Sequence, residues 1–154
     1  MNKLIFRVIL PISIILFGTI SQWRYGLVLD GTYEFFVGFP FIQQCRGFHT
    51  SLSTQYFVME MLLNFLAYFF ITLVLCLFIR KFYRIEISKK ISNSFWIGFG
   101  VFLLFFMYLS REIQDHFLIK RNFKVKITNT GISLFNTHPD RTTQQIKILE
   151  NEQQ

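Results

Sequence analysis

Residues 57–79 read FVMEMLLNFLAYFFITLVLCLFI, 23 positions with one charged side chain, Glu60. An α-helix of that length extends about 35 Å, enough to cross the ~30 Å hydrocarbon core of a bilayer with some tilt. An uninterrupted apolar run of this length is read as a transmembrane candidate. Within it Glu60, Asn64, Tyr68, Thr72 and Cys76 recur every fourth residue, ending on Arg80. Four residues turn a helix by about 400°, so the line drifts about 40° per step and only neighbouring members share a face. Glu60, Asn64 and Tyr68 therefore form a polar stripe in one half of the helix. An intramembrane carboxylate is a functional candidate by default, with Arg24 or Arg46 as the charge partner. The competing reading is structural: Glu60 lies near the membrane edge and pairs with an arginine, while Asn64 bonds a neighbouring helix. It carries more weight, because the other half of the helix holds no matching relay.

The flanks follow from this span. Leu4–Ile20 is a shorter apolar segment broken by Arg7 and Pro11. No small-residue cleavage site follows it, so it reads as a retained signal-anchor helix. A basic stretch, Arg80, Lys81, Arg84, Lys89 and Lys90 against Glu86, separates the long span from a third apolar run, Phe95–Leu109. That run has 15 residues unless Ile91–Ser94 join it, and it reads as a full span or a re-entrant helix. Past Ser110 the chain turns polar, with Ile113, Phe117 and Leu118 spaced for an amphipathic continuation of the helix. In the tail, Phe123, Val125 and Ile127 alternate before Asn129-Thr130-Gly131, the pattern of a short hairpin.

Composition agrees with a membrane setting. Of 154 residues 52% are hydrophobic, 19% aromatic and only 16% charged, with 21 phenylalanines and a net charge of +7. An ordinary soluble domain has about 25% charged residues, and disordered chains are poor in aromatics. Residues 21–56 contain Trp23, Tyr25, Tyr33, Phe35, Phe36, Phe39, Phe41, Phe48 and Tyr56, too many rings for a flexible linker. The segment is expected to be ordered and to pack on helix ends or in the headgroup region, with Phe39, Pro40 and Phe41 as packing residues.

The first loop holds two Lys/Arg in 36 residues and the second holds five in 15, which fixes the first two helices with the N-terminus inside. Across three spans the count ties at seven against seven, so the side of the tail stays open. Arg80, Lys81, Arg84, Lys89 and Lys90 suit anionic lipid headgroups, as does the patch Lys120, Arg121, Lys124 and Lys126. A nucleic-acid partner is not expected, because Phe123 is the tail patch's only interleaved ring.

Catalytic signals are weak. Cys45 and His49, with Asp30 and Glu34, do not make the two close pairs of a zinc site, so no metal and no cofactor is expected. A Cys–His nucleophile has no orienting third group. His116 and His138 read as solvated. Phosphate-loop, dinucleotide, zincin and nucleophile-elbow motifs do not occur.

Arg24-Tyr25-Gly26, then Gly38-Phe39-Pro40-Phe41, then Leu63-Asn64-Phe65 resemble small uncharacterised bacterial membrane proteins with an R-Y-G and G-F-P-F type extracytoplasmic loop between two helices. The resemblance covers the first half of the chain; it implies a bacterial inner membrane and no mechanism.

The sequence thus predicts an all-α membrane protein of three transmembrane helices, the third spanning or re-entrant. Its segments are helix 1 (1–22), an aromatic extracytoplasmic loop (23–56), helix 2 (57–80), a basic cytoplasmic loop (81–94), helix 3 (95–112) and a polar tail with a β-hairpin (113–154). The expected role is a non-catalytic accessory or interaction subunit of a membrane complex, in contact with lipids and a protein partner or its own copies. The alternatives are a membrane enzyme or small-substrate carrier using Glu60, Asn64 and Tyr68, and an immunity or toxin-type membrane protein.

Overall fold

The computed structural model describes residues 4–28, 33–47, 53–83, 88–135, 137, 139–140 and 142–145. Asp30, Phe48, His49, Arg84, Glu86 and His138 lie outside these. The chain divides into a helical unit, Met1–Gly18 with Phe65–Gln114, and a sheet unit, Thr19–Asn64 with Asp115–Gln154.

The helical unit begins with a π-helical turn, Ile5–Ile9, that runs into α1 (Leu10–Thr19). Pro11 accounts for the wide turn. It has no N–H for the carbonyl of Arg7, and its ring crowds that carbonyl, so the preceding turn loosens and the Leu10 N–H reaches Ile5 O. Two long helices follow in sequence, α2 (Val58–Arg80) and α3 (Lys89–Glu112). Ser88 caps α3, its hydroxyl accepting from Ile91 N at 3.4 Å. Ile91–Ser94 thus do join the third apolar run.

Side chains in this unit are sorted the opposite way from a soluble bundle. Ser13, Tyr68, Thr72, Cys76, Ser92 and Ser110 are buried, whereas Phe70, Val74, Phe78, Val101, Leu104 and Met107 are exposed. Ser13 and Thr72 satisfy their hydroxyls on the carbonyls one turn earlier, Ile9 O and Tyr68 O. Val8 and Ile9 pack with Cys76, flanked by Phe69 and Leu73. The fourfold line Asn64, Tyr68, Thr72, Cys76 is the buried face of α2.

The expectation of an all-α protein is wrong. A six-stranded mixed sheet is present, in the order β5-β4-β3-β2-β1-β6. Its strands are β1 (Ile20–Val28), β2 (Tyr33–Val37), β3 (Gln44–Arg46), β4 (Thr54–Phe57), β5 (His116–Leu118) and β6 (Val125–Leu134). The first four form an antiparallel meander, β5 runs parallel to β4, and β6 pairs antiparallel with β1. Most of the described residues of the aromatic loop are therefore strand: its rings are β-formers on a pleated surface. Three transmembrane helices are likewise not found. Among the described residues two helices, Val58–Arg80 and Lys89–Ile113, are long and apolar enough to cross a membrane, while Ile5–Thr19 is shorter. Helix 1 stops at Thr19 because Ile20 already pairs with Leu134, and Phe57 belongs to β4 rather than to the helix after it.

No hairpin forms at 123–135. β6 continues straight through Asn129-Thr130-Gly131, and Gly131 faces Trp23 across the ladder. A Cβ there would lie 2.6 Å from the indole, so the glycine makes room for a ring rather than a turn. Nor does the third helix continue as an amphipathic segment. Gln114 has φ of 60°, and Phe117 and Leu118 enter β5. One face of the sheet carries the core of Val28, Phe36, Ile42, Cys45 and Phe57, with Leu118, Phe123 and Val125 packed on it.

Candidate functional site

A tightly constrained feature among the described residues is the turn Gly38–Phe41, between β2 and β3. Gly38 has φ of +144°, a region that side chains rarely adopt, and a Cβ there would strike Phe41 O and Gln43 N. The Phe39–Pro40 peptide is cis. Gly38 N donates to Gln22 O and Gln43 N donates to Val37 O, each at 2.9 Å, tying the turn to the sheet at both ends.

Asn64 of α2 holds the turn from the other side. Its Oδ1 accepts from Phe41 N at 2.8 Å, while Nδ2 donates to Phe41 O at 2.7 Å and to Gln43 Oε1 at 2.9 Å. The amide orientation follows from this pattern, since only oxygen can face the N–H and only nitrogen the carbonyl. Asn64 is fully buried. A third arm is Arg24 of β1, whose Nη2 donates to Pro40 O at 2.6 Å and to Gln22 Oε1 at 3.0 Å. Burial, and then the nearby Arg121, push the Arg24 pKa down. Backbone polar groups thus face inward to Asn64 and Arg24, and the Phe39 and Phe41 rings stay outside, 42% and 48% exposed. Arg24, the 38–41 turn and Asn64 come from the three short motifs singled out in the sequence. Gln22 and Gln43 complete the clamp and were not anticipated; their only signal is a pair of amides flanking an apolar stretch.

The other candidate residues are dispersed. Glu60, in the first turn of α2, accepts the Arg121 N–H on Oε1 at 3.3 Å, and its Oε2 is buried without a hydrogen-bond partner among the described residues. Of the two arginines expected as its partners, Arg24 is in the clamp and Arg46 is exposed on β3. An acid in the first turn of a helix also favours the positive end of its dipole. Tyr68 belongs to the helical unit and stands edge-on to Phe17. The polar stripe thus divides after Asn64.

Cys45 lies in the sheet core, its thiol 3.5 Å from Gln55 Oε1. Burial first, and Glu34 second, push its pKa to about 12, against an opposing pull from Arg121. A thiol so placed is a poor nucleophile and a poor metal ligand at neutral pH. No cluster of three metal-ligating side chains occurs among the described residues. Arg121 lies over the Phe123 ring, 5.9 Å from its centroid. Tyr25 is fully buried, stacked on Tyr33 and tilted against Phe35, with no hydrogen-bond partner for its hydroxyl among the described residues. Next to it Gly26 stands at a bulge where β6 approaches closely, Lys126 O lying 2.7 Å from the place of a Cβ. Arg80, Lys81, Lys89 and Lys90 are exposed at the ends of α2 and α3.

No family model, no curated protein and no solved structure matches the chain.

Proposed function

We propose that this chain is a small integral membrane protein, crossing the bilayer with α2 and α3, that acts as a non-catalytic accessory or interaction subunit of a membrane complex. The inverted burial of the helical unit supports the membrane setting. Apolar side chains exposed on α2 and α3 are stable against acyl chains and costly against water, while the small polar residues between helices suit packing in lipid. The finer placement is the bacterial cytoplasmic membrane, with the connection between α2 and α3 inside. It rests on the motif resemblance and on the basic residues Arg80, Lys81, Arg84, Lys89 and Lys90 in and beside that connection.

One observation carries the non-catalytic reading. The buried polar groups that meet in the sheet unit, Asn64, Gln43 and the half-buried Arg24, direct their hydrogen bonds onto a backbone turn and onto each other. Groups engaged in this way hold a shape; a catalytic set would leave donors and acceptors converging on space for a substrate. Extraction in mild detergent with an affinity tag is the test. A specific co-purifying membrane protein, or a defined homo-oligomer, is the expected result. A strictly monomeric species with no companion overturns the reading. Glu60 supplies the one observation for a second reading, as enzyme or small-substrate carrier, because its Oε2 is buried without a partner. Glu60→Gln should abolish the cellular phenotype under that reading and leave it unchanged under the first.

A further inference from the structure

We infer that the Gly38–Phe41 turn is immersed in the hydrocarbon of the bilayer, with the Phe39 and Phe41 rings among the acyl chains. The inference rests on the reading of α2 as a membrane span. The helix has 23 residues, about 35 Å, against a hydrocarbon core of about 30 Å, so a centred helix projects only ~2–3 Å at each end. Asn64 lies six residues along the helix from Val58, about 9 Å, which puts its side chain roughly 6 Å below the hydrocarbon boundary. The turn is bonded directly to that side chain at Phe41 N and Phe41 O, so it lies at the same depth.

Non-helical backbone at that depth is stable only if its polar groups are satisfied within the protein. Four of the turn's seven backbone polar groups meet this condition through named partners. Phe41 N and O are bonded to Asn64, Pro40 O to Arg24, and Gly38 N to Gln22 O. The arrangement also explains why a fully buried asparagine stands in an apolar helix: its amide replaces the water that would otherwise solvate the turn. What points outward is apolar. Phe39 and Phe41 are exposed, as are Met59, Leu62 and Leu63 on the first two turns of α2. Lipid is the occupant that fits, because the first turns of α2 beside these rings expose apolar side chains and α2 is the helix read as the span.

The test is a nitroxide at position 39 in the full chain, reconstituted in phosphatidylcholine–phosphatidylglycerol vesicles, with collisions measured against oxygen and a water-soluble nickel chelate. Phe39→Cys replaces an exposed ring and leaves the clamp intact. Phe41→Cys is an independent second site, and Val74→Cys, 64% exposed in the middle of α2, is the reference for the span. The unsubstituted chain gives the background from Cys45 and Cys76, which are both buried. The expected result is that labels at 39 and 41 lose nickel broadening and gain oxygen broadening, as the label at 74 does. Nickel access at 39 and 41 with oxygen access at 74 overturns the immersion of the turn and leaves the span standing. Access by neither reagent at 39 and 41 means a protein covers the rings, and overturns it as well. Nickel access at 74 removes the span, and the inference with it.

Discussion

Replacing Asn64 by leucine keeps the volume of the side chain and removes all of its hydrogen bonding. Three bonds are lost, at 2.7, 2.8 and 2.9 Å, leaving Phe41 N, Phe41 O and Gln43 Oε1 without a partner. An unsatisfied buried polar group costs about 1–3 kcal/mol. Three groups are left in that state, so the sum is roughly 3–9 kcal/mol. That is a large share of the 5–15 kcal/mol typical of a folded domain. For a unit of this size it corresponds to a fall in Tm of at least about 10 °C. Thermal unfolding in mild detergent, followed by the near-ultraviolet signal of the sheet aromatics, is the assay. Asn64→Leu should unfold well below the natural chain, while Tyr68→Phe, in the helical unit, should shift far less. If Asn64→Leu melts within a degree or two of the natural chain, the turn is not held as described, and the argument from the clamp fails.

Gly131→Val would drive a branched side chain into the Trp23 indole, which already lies 2.6 Å from the Cβ position; a loss of about 1–3 kcal/mol and a shift in Trp23 emission are expected. Gly38→Ala combines a rare φ of +144° with a clash against Phe41 O and should destabilise the sheet unit more than Gly98→Ala, where nothing lies within 4 Å. Cys45 should resist maleimide at pH 7–8 until the chain unfolds. Its thiol pKa is raised from an ordinary 9.0 to about 12, so its contribution to stability is complete below about pH 9 and is lost as pH rises toward 12; Cys45→Ala should remove that part of the alkaline loss. Glu60→Gln keeps an acceptor for the Arg121 N–H and should change the melting temperature little.

What could be read from the sequence depended on how local the determining interactions are. The apolar run of α2 declares itself, and so does the fourfold line from Asn64 to Cys76, because both are properties of one helix. The sheet is hidden for the opposite reason. β1 pairs with β6 across about a hundred residues, β3 and β5 have three residues each, and the passages from α1 to β1 and from β4 to α2 contain no connecting loop to mark them. The aromatic residues of 21–56 sent two signals at once, since rings favour both the membrane interface and the β-pleat. At Asn129-Thr130-Gly131 a local turn signal was overridden by Trp23, a residue no neighbouring position could reveal. The clamp lay between these extremes: its three motifs were visible as words, and only the fold brings them within hydrogen-bonding distance.

The central proposal is that α2 and α3 both cross the bilayer, so that the strands before α2 and after α3 share one side. Under that proposal the six strands, which share one sheet, lie toward one side, and the segment between Arg80 and Lys89 lies toward the other. Topology reporters placed after Gln154, within 29–32 between β1 and β2, and within 84–87 measure this directly. The account predicts that the first two report the same compartment and the third the opposite one. A reporter after Gln154 that faces the compartment of the 84–87 loop would contradict it.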